Sequence, residues 1–252
     1  MLTIGSLFSG IGGLELGLER AGLGPVIWQA ESDPYARRVL AKHWPGVPIY
    51  NDVRDIDERA PRPDIICGGF PCQPASIAGS RRGSDDERWL WPEFRRVLEV
   101  CRPRLALIEN VPGLLSRGMG EVLGDLAALG FDAEWSVLSA CAMGAPHTRE
   151  RLFILAHDDQ ARPKDGQGIE GPQANADLGS FPGPHPGADV RVADWAPESW
   201  VVRVVDGVPD GMDRLGCLGN AVVPQVSEWI GRRIVESLRE GQREPVGKGE
   251  EA

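Results

Sequence analysis

The stretch DIICGGF, residues 64–70, is apolar on both faces of an extended chain and ends in two glycines and a phenylalanine. Continuous apolar runs of this length are typical of strands in parallel sheets that are buried on both sides. LALIENV at 105–111 has the same character, and a helical pattern such as GGLELGLERAG at 12–22 separates runs of this kind. The alternation predicts an α/β fold with a doubly wound, mostly parallel sheet.

The same alternation extends along most of the chain. Further strands are predicted at TIGSLFSG (3–10), PVIWQAE (25–31), IYNDV (49–53), AEWSVLSA (133–140) and RLFILA (151–156). Further helices are predicted at DPYARRVLAKHW (33–44), RWLWPEFRRVLEVC (88–101) and GEVLGDLAAL (120–129), with a last one that carries Val226, Ile230, Ile234 and Leu238 on one face. Ligands bind such sheets at the carboxyl ends of the strands, which is where the candidate motifs fall.

Composition bounds the class of protein. The chain has 252 residues, of which 42% are hydrophobic, enough for one sizeable core. No apolar run approaches the length of a membrane span and the N-terminus lacks the features of a signal peptide, so a soluble intracellular protein is expected. The five cysteines are odd in number and form no C-x-x-C pair, which argues against a disulfide framework and a metal site. Apart from Cys72, they are interpreted as small buried hydrophobic residues.

Net charge is the main argument against a nucleic-acid partner. The formal net charge of the chain is −10, and a negatively charged protein is repelled by the negatively charged phosphates of a nucleic acid. A cleft can nevertheless be positive on a negative protein, and arginines gather after Cys72 and in HTRER at 147–151.

Three strand ends carry candidate cofactor residues. FSGIGG at 8–13 resembles half of a nucleotide-binding fingerprint, although a plain tight turn also explains it. Glu31 follows the second strand, where an acid holds ribose hydroxyls in sheets of this type; a solvated carboxylate at a helix start is the alternative. Asp52 either meets an adenine amino group or caps a turn.

GGFPCQPAS at 68–76 places Cys72 in a loop restricted by two prolines. A thiol is nucleophilic as the thiolate, and no acid stands beside Cys72 to raise its pKa. Ser76 and the basic run SRRG, with Arg81 and Arg82, can supply positive field and phosphate contacts. We therefore interpret Cys72 as a nucleophile.

Glu109 ends an apolar strand, so partial desolvation should raise its pKa and fit it to hold or protonate a ring nitrogen. Arg149 and Arg151 are two residues apart at the start of a later strand and point to the same side if the pairing is regular. A solvated basic edge is the alternative for these two arginines.

Taken together, these motifs identify a family. LFSGIGGLELGLERAG, ESDPYA, NDV, GGFPCQPAS, ENV, GAPHTRERLF and DRLGCLGNAVVP occur in that order. The chain resembles the DNA (cytosine-5) methyltransferases, which depend on S-adenosylmethionine. The resemblance covers nearly all of the chain except an insert and the tail, and it implies the methyltransferase type of α/β fold.

The resemblance also implies roles for individual residues. Cys72 would attack carbon 6 of a flipped-out cytosine, and Glu109 would bind ring nitrogen 3 and the exocyclic amine. Arg151 would steady the base, with help from Arg149. Phe8, Gly10 and Gly12 would contact the cofactor from the turn after the first strand. Glu31 would bind its ribose and Asp52 its adenine. Pro71 and Asn220 would line the same pocket.

Two departures from the family pattern stand out. His147 replaces the usual glutamine, and the region between HTRER and DRLGCLGN is short and acidic, with three basic and eight acidic residues in 158–202. Because so few basic side chains are available to contact base edges, we expect a short or degenerate DNA target. Arg191 is the best candidate for reading the bases and Arg203 the second. Alternatively, Arg191 only forms an ion pair with Asp189 or Asp194.

The predicted organisation is a catalytic and cofactor-binding domain at 1–157 and a short, partly irregular target-recognition region at 158–205. A segment at 206–240 would pack back on the catalytic domain, and a disordered tail would occupy 241–252. Expected partners are double-stranded DNA and a cognate restriction endonuclease of a restriction-modification system. A monomer in the bacterial cytoplasm or a phage-infected host is expected. Methylation of tRNA and a non-catalytic nucleic-acid-binding relative remain the alternative functions.

Overall fold

A computed structural model describes residues 1–72, 89–145, 147–158 and 221–240 of the chain. The strands in these ranges are β1 (Ile4–Leu7), β2 (Val26–Ala30), β3 (Ile49–Tyr50), β4 (Ile65–Gly68), β5 (Leu105–Asn110), β6 (Phe131–Ser139) and β7 (Glu150–Asp158). They form one seven-stranded sheet in the order β3-β2-β1-β4-β5-β7-β6. The first five strands pair in parallel, whereas β7 runs antiparallel to both β5 and β6. The predicted mostly parallel sheet is confirmed.

Helices cover both faces of the sheet. In the described ranges they are α1 (Gly13–Arg20), α2 (Pro34–His43), α3 (Trp91–Cys101), α4 (Leu114–Arg117), α5 (Met119–Ala128) and α6 (Pro224–Glu240). Phe94 of α3 and Val122 of α5 belong to the apolar cluster on one face. Leu18 of α1, Leu40 of α2 and Ile230 of α6 belong to the cluster on the other face, so the sheet is doubly wound. No helix in these ranges is long and apolar enough to cross a membrane.

Local sequence signals set several helix ends. Asp33 caps α2, because its carboxylate accepts the backbone N–H of Ala36 at 2.8 Å, and Pro34 opens the helix. Gly22 follows α1 in a left-handed conformation with φ 82°, and its N–H donates to the carbonyl of Glu19. Pro92 lies in the first turn of α3, where its missing N–H costs nothing.

Two details of the sequence prediction are wrong and one short helix was not predicted. The third strand ends at Tyr50, because the side chain of Asp52 caps a short 3-10 helix at Val53–Asp55. The pattern at 120–129 does not reveal α4, which occupies a single turn before α5. Cys141 is exposed, whereas Cys67 and Cys101 are buried as expected.

The strand order fixes where a ligand can bind. From β1 the chain proceeds outward to β2 and β3, and from β4 it proceeds in the opposite direction to β5. The switch point therefore lies between β1 and β4, and crevices at such points are the usual ligand sites of open α/β sheets. The turn after β1 and the loop after β4 flank this crevice.

Candidate active site

The turn after β1 has an unusual backbone. Phe8, Gly10 and Gly12 have φ angles of 53°, 56° and 85°, a left-handed conformation that glycine adopts readily and phenylalanine rarely does. A Cβ added to Gly10 would meet no atom within 4 Å, whereas one added to Gly12 would press into the ring of Trp44. The backbone therefore faces open space at Gly10. That is the shape in which a chain can approach a nucleoside-type cofactor closely, and the residues present fit one.

Glu31 lies directly beside this turn. Its Oε2 atom accepts the N–H of Gly10 at 2.7 Å, and its Oε1 atom accepts the N–H of Asp33 at 2.7 Å. Asp52 accepts the N–H of Arg54 at 2.9 Å and pairs with the Arg54 guanidinium at 3.2 Å. Glu31 thus helps to fix the turn, and Asp52 caps the 3-10 helix. Their contacts to ribose and adenine remain predictions.

Cys72 lies just beyond β4, after the exposed Pro71, and is half-buried against the apolar cluster on the α3 side of the sheet. Burial raises the pKa of its thiol, and the positive charge of Arg117 opposes that rise. The raised pKa keeps most of the thiol protonated at neutral pH in this state. Arg117, at the end of α4, is a neighbour that the sequence did not reveal.

Asn110 links the loop before Cys72 to the end of β5. Its side-chain amide donates to the carbonyl of Phe70 at 3.1 Å, and its Oδ1 atom accepts the N–H of Val111 at 2.8 Å. The ring of Phe70 packs edge-on against Trp89, with 5.3 Å between ring centroids. The backbone two residues before Cys72 is therefore held from both sides.

Glu109, near the end of β5, forms a charged pair with Arg151. It is 9% exposed, and its Oε1 atom lies 2.9 Å from the Nε atom of Arg151. Burial raises the pKa of the Glu109 carboxyl, while the charges of Arg151 and then Arg149 act in the opposite direction. The predicted rise in its pKa is confirmed. A buried carboxyl of this kind can hold a proton or give it up during a reaction.

Arg149 does not share a strand face with Arg151. The strand β7 begins at Glu150, and Arg149 precedes it with a positive φ of 32°, so the expected two-residue alternation does not include it. Its Nη2 atom donates to the carbonyl of Ala221 at 2.5 Å. Burial, and then the charge of Arg151, lower the pKa of Arg149, whereas Glu109 raises it. Arg149 thus joins the active-site edge to the segment that leads into α6.

Gly69 lies directly against the carboxyl of Glu109. A Cβ at residue 69 would stand 2.5 Å from the Oε2 atom of Glu109, so the carboxyl would have to shift if residue 69 were not glycine. In the sequence, the paired glycines after an apolar strand indicate that space is needed at this position. They do not indicate that the residue occupying the space is Glu109. The contact shows that the Cys72 loop runs directly alongside Glu109.

Several predicted site residues lie outside the described ranges. These are Ser76, Arg81, Arg82, Arg191, Arg203 and Asn220. Their assignments remain predictions.

The strand ends bring a thiol loop and a carboxylate–guanidinium pair beside an open glycine turn. In doubly wound sheets, a crevice at this switch point is the usual place where nucleotide-type ligands bind. The family model of the C-5 cytosine-specific DNA methylases matches residues 2–199, and the chain belongs to this family.

Known relatives agree with this membership. The chain is 38% identical over 164 residues to the Type II methyltransferase M2.BsuMI of Bacillus subtilis strain 168, a match that covers 62% of this chain and 42% of the relative. It is 38% identical over 159 residues to M.NgoBI of Neisseria gonorrhoeae, covering 61% and 50%. The chain thus spans about half the length of the curated relatives it matches. The S. pombe Dnmt2 methyltransferase has the same fold, with a TM-score of 0.54 at 22% identity, over 63% of this chain and 51% of that one.

Proposed function

We propose that this protein transfers a methyl group from S-adenosylmethionine to carbon 5 of cytosine in double-stranded DNA, through a covalent adduct with Cys72. The observation that carries the proposal is the placement of Glu109 and Arg151, paired at 2.9 Å, beside the loop that presents Cys72. Family membership and the names of the Type II methyltransferase relatives support DNA as the substrate.

The proposed cycle begins on a cytosine flipped out of the duplex, an extrusion that costs a few kcal/mol. The Cys72 thiolate forms a bond to carbon 6. The electron pair of the 5,6 double bond moves to the bond between carbons 4 and 5, and the pair of the 3,4 double bond moves onto ring nitrogen 3. Glu109 supports this shift by donating a proton to ring nitrogen 3, and Arg151 holds the Glu109 carboxyl in position. Because burial raises the pKa of the Cys72 thiol, the thiol must lose its proton as the base arrives.

The second half of the cycle restores the base and the enzyme. S-adenosylmethionine, when bound, would supply the methyl group that carbon 5 takes up, with S-adenosylhomocysteine as the leaving group. As the methyl group adds, the 3,4 double bond forms again and ring nitrogen 3 returns its proton to Glu109. Carbon 5 then loses its hydrogen to solvent as a proton, the 5,6 double bond forms again, and the bond from carbon 6 to Cys72 breaks to release the thiolate. The turn at Phe8, Gly10 and Gly12, with Glu31, Asp52, Pro71 and Asn220, would hold the cofactor.

Target recognition and partners belong to the same proposal. Residues 158–205 would read the DNA, with Arg191 and Arg203 as the readers and Ser76, Arg81 and Arg82 on phosphates. The Type II names of the relatives support a restriction-modification system with a cognate endonuclease. A monomeric enzyme in the cytoplasm, built from the domains 1–157, 158–205 and 206–240, completes the proposal.

Replacement of Cys72 tests the function directly. We expect Cys72→Ala to abolish transfer of tritiated methyl groups to duplex DNA while cofactor binding survives, because Cys72 acts on the base. Duplex DNA containing 5-fluorocytosine should trap the wild-type protein covalently, since fluorine blocks the loss of a proton from carbon 5. Cys141→Ala is the matched control, because Cys141 is a free, exposed cysteine. Methyl transfer to tRNA but not to DNA, or no trapping on cytosine-rich duplexes with cofactor present, would overturn the proposal.

A further inference from the structure

A second buried carboxyl lies beneath the glycine turn. Glu15 is in the first turn of α1, and its side chain is fully buried, with 0% exposure. Ser6 on β1 pairs in register with Gln29 on β2 on one side and with Cys67 on β4 on the other. These three side chains form a row across the sheet, and Glu15 reaches it from α1.

The row connects to the turn itself. The Ser9 hydroxyl donates to the Ser6 hydroxyl at 2.8 Å, the Ser9 N–H donates to the carbonyl of Ala30, and the Ser9 carbonyl accepts the N–H of Gly12. Ser9 therefore joins the buried row to the turn that faces the open space at Gly10. Hydrogen bonds that hold the side chains of this row in place therefore also hold the glycine turn in place.

Glu15 and Gln29 have complementary unused atoms. The Nε2 atom of Gln29 donates to the Oε1 atom of Glu15 at 3.5 Å. Within the described ranges, the other carboxyl oxygen of Glu15 and the side-chain carbonyl of Gln29 are both buried without a hydrogen-bond partner. An ionised carboxylate and an amide carbonyl are both acceptors, so neither could satisfy the other. A neutral Glu15 carboxyl would have one O–H to donate, and the unpaired side-chain carbonyl of Gln29 could accept it.

No charged side chain is among the groups that favour the ionised form of Glu15. Burial raises the pKa of Glu15, and the groups that lower it are the hydroxyl of Ser6, the backbone N–H of Glu15 itself, the hydroxyl of Ser9 and the amide of Gln29. The titratable neighbour on β4 is Cys67, whose pKa burial raises well above the usual value, so it remains a neutral thiol. From the other side, α6 faces α1 with Ser227, whose hydroxyl donates to the carbonyl of Gly13 at 3.1 Å. An isolated ionised carboxylate in such a place takes up a proton instead.

We infer that Glu15 is a positioning residue that carries a proton and donates it to the side-chain carbonyl of Gln29, closing a two-hydrogen-bond acid–amide pair that holds the glycine turn in its cofactor-binding shape. The role in cofactor binding rests on the proposed function, whereas the presence of the proton does not. The pair is a property of the folded protein, because both of its members belong to the chain itself.

The first test detects the proton itself. Infrared spectra of the wild type at neutral pH should contain the C=O band of a neutral carboxyl, and Glu15→Gln should remove that band. Glu58→Gln is the matched control, because it removes one carboxyl from an exposed position and should leave the band unchanged. If the Glu15→Gln difference spectrum shows a lost carboxylate instead, the inference is overturned.

The second test uses pH and a neutral substitute. A raised folded-state pKa means that the folded protein holds the proton more tightly than the unfolded chain, so stability falls as pH rises from the unfolded pKa through the folded one. The urea midpoint of the wild type should therefore fall with rising pH over this window, and Glu15→Gln should flatten that fall. Glutamine keeps both hydrogen bonds to Gln29, so the affinity of Glu15→Gln for S-adenosylmethionine should match that of the wild type.

Glu15→Leu leaves Gln29 unpaired and should weaken cofactor binding roughly tenfold or more. If Glu15→Leu fails to fold, Glu15→Gln still decides the question. A Glu15→Gln protein that loses about tenfold in affinity would show that the negative charge is needed, against the inference. Wild-type protein that binds no S-adenosylmethionine would contradict the proposed function, and the infrared band would still decide whether Glu15 holds a proton.

Discussion

Glu109 and Glu15 are two buried carboxyls at opposite sides of the crevice between β1 and β4, and they differ in their partners. Glu109 lies 2.9 Å from the Nε atom of Arg151 and is also close enough to Arg149 for that charge to lower its pKa. The hydrogen-bonding neighbours of Glu15 are uncharged: hydroxyls, an amide and its own backbone N–H. Burial raises the pKa of both groups, but only Glu109 has cations that oppose the rise.

The difference separates a group that can exchange a proton from one that keeps it. A carboxyl whose burial and charge partners oppose each other can change its protonation state when a base arrives, which is what general acid catalysis requires. A carboxyl without a charge partner stays neutral and serves as a fixed donor. Similar burial therefore supports two different roles.

Replacing each of the two carboxyls by the isosteric amide should separate their roles most clearly. We expect Glu109→Gln to lower the rate of methyl transfer by roughly 10²- to 10⁴-fold, the usual contribution of general acid–base catalysis, because the amide cannot deliver a proton to the base. Cofactor affinity should change little. Glu15→Gln should keep wild-type turnover, since Glu15 does not contact the base. The measurement is single-turnover transfer of tritiated methyl groups, and a Glu109→Gln enzyme with wild-type rates would remove Glu109 from the cycle.

Arg151→Gln should leave Glu109 without its paired guanidinium, so that its surroundings become more like those of Glu15. Loss of a hydrogen bond to a charged group costs about 1.5–3 kcal/mol of unfolding free energy, and both side chains are largely buried. Without the guanidinium the pKa of Glu109 rises further, so the fall of stability with pH should continue to higher pH than in the wild type. Urea unfolding across a pH series measures both effects. The same pH profile in Arg151→Gln and the wild type would show that Arg151 does not set the pKa of Glu109.

Gly69→Ala tests the space around Glu109 and should have the smallest effect. Its Cβ would stand 2.5 Å from the Oε2 atom, so the carboxyl must move and strain its pair with Arg151, at a cost of about 1 kcal/mol. Gly124→Ala is the control, because a Cβ there meets nothing within 4 Å and alanine favours the helix α5 by about 1 kcal/mol. Opposite shifts in melting temperature are expected, and stabilisation by Gly69→Ala would contradict the crowded geometry.

The sequence by itself determined the sheet, the order of its elements and the strand ends that carry the site. Apolar runs such as DIICGGF can be buried only in a covered parallel sheet, and parallel strands bring their carboxyl ends to one edge. The raised pKa of Glu109 also follows from sequence, because an acid that ends an apolar strand is desolvated. These features depend on residues close together in the chain.

Only the tertiary structure decided which groups face each other. In the sequence, Glu15 is a polar residue between leucines in a helix, and such residues usually face solvent. It is buried because α1 lies between the sheet and α6, which contacts Gly13 from a residue 214 positions away. The charge partner of Glu109 likewise comes from β7, which pairs antiparallel with β5. Pairing across such distances depends on how the whole chain packs, and no local pattern records it.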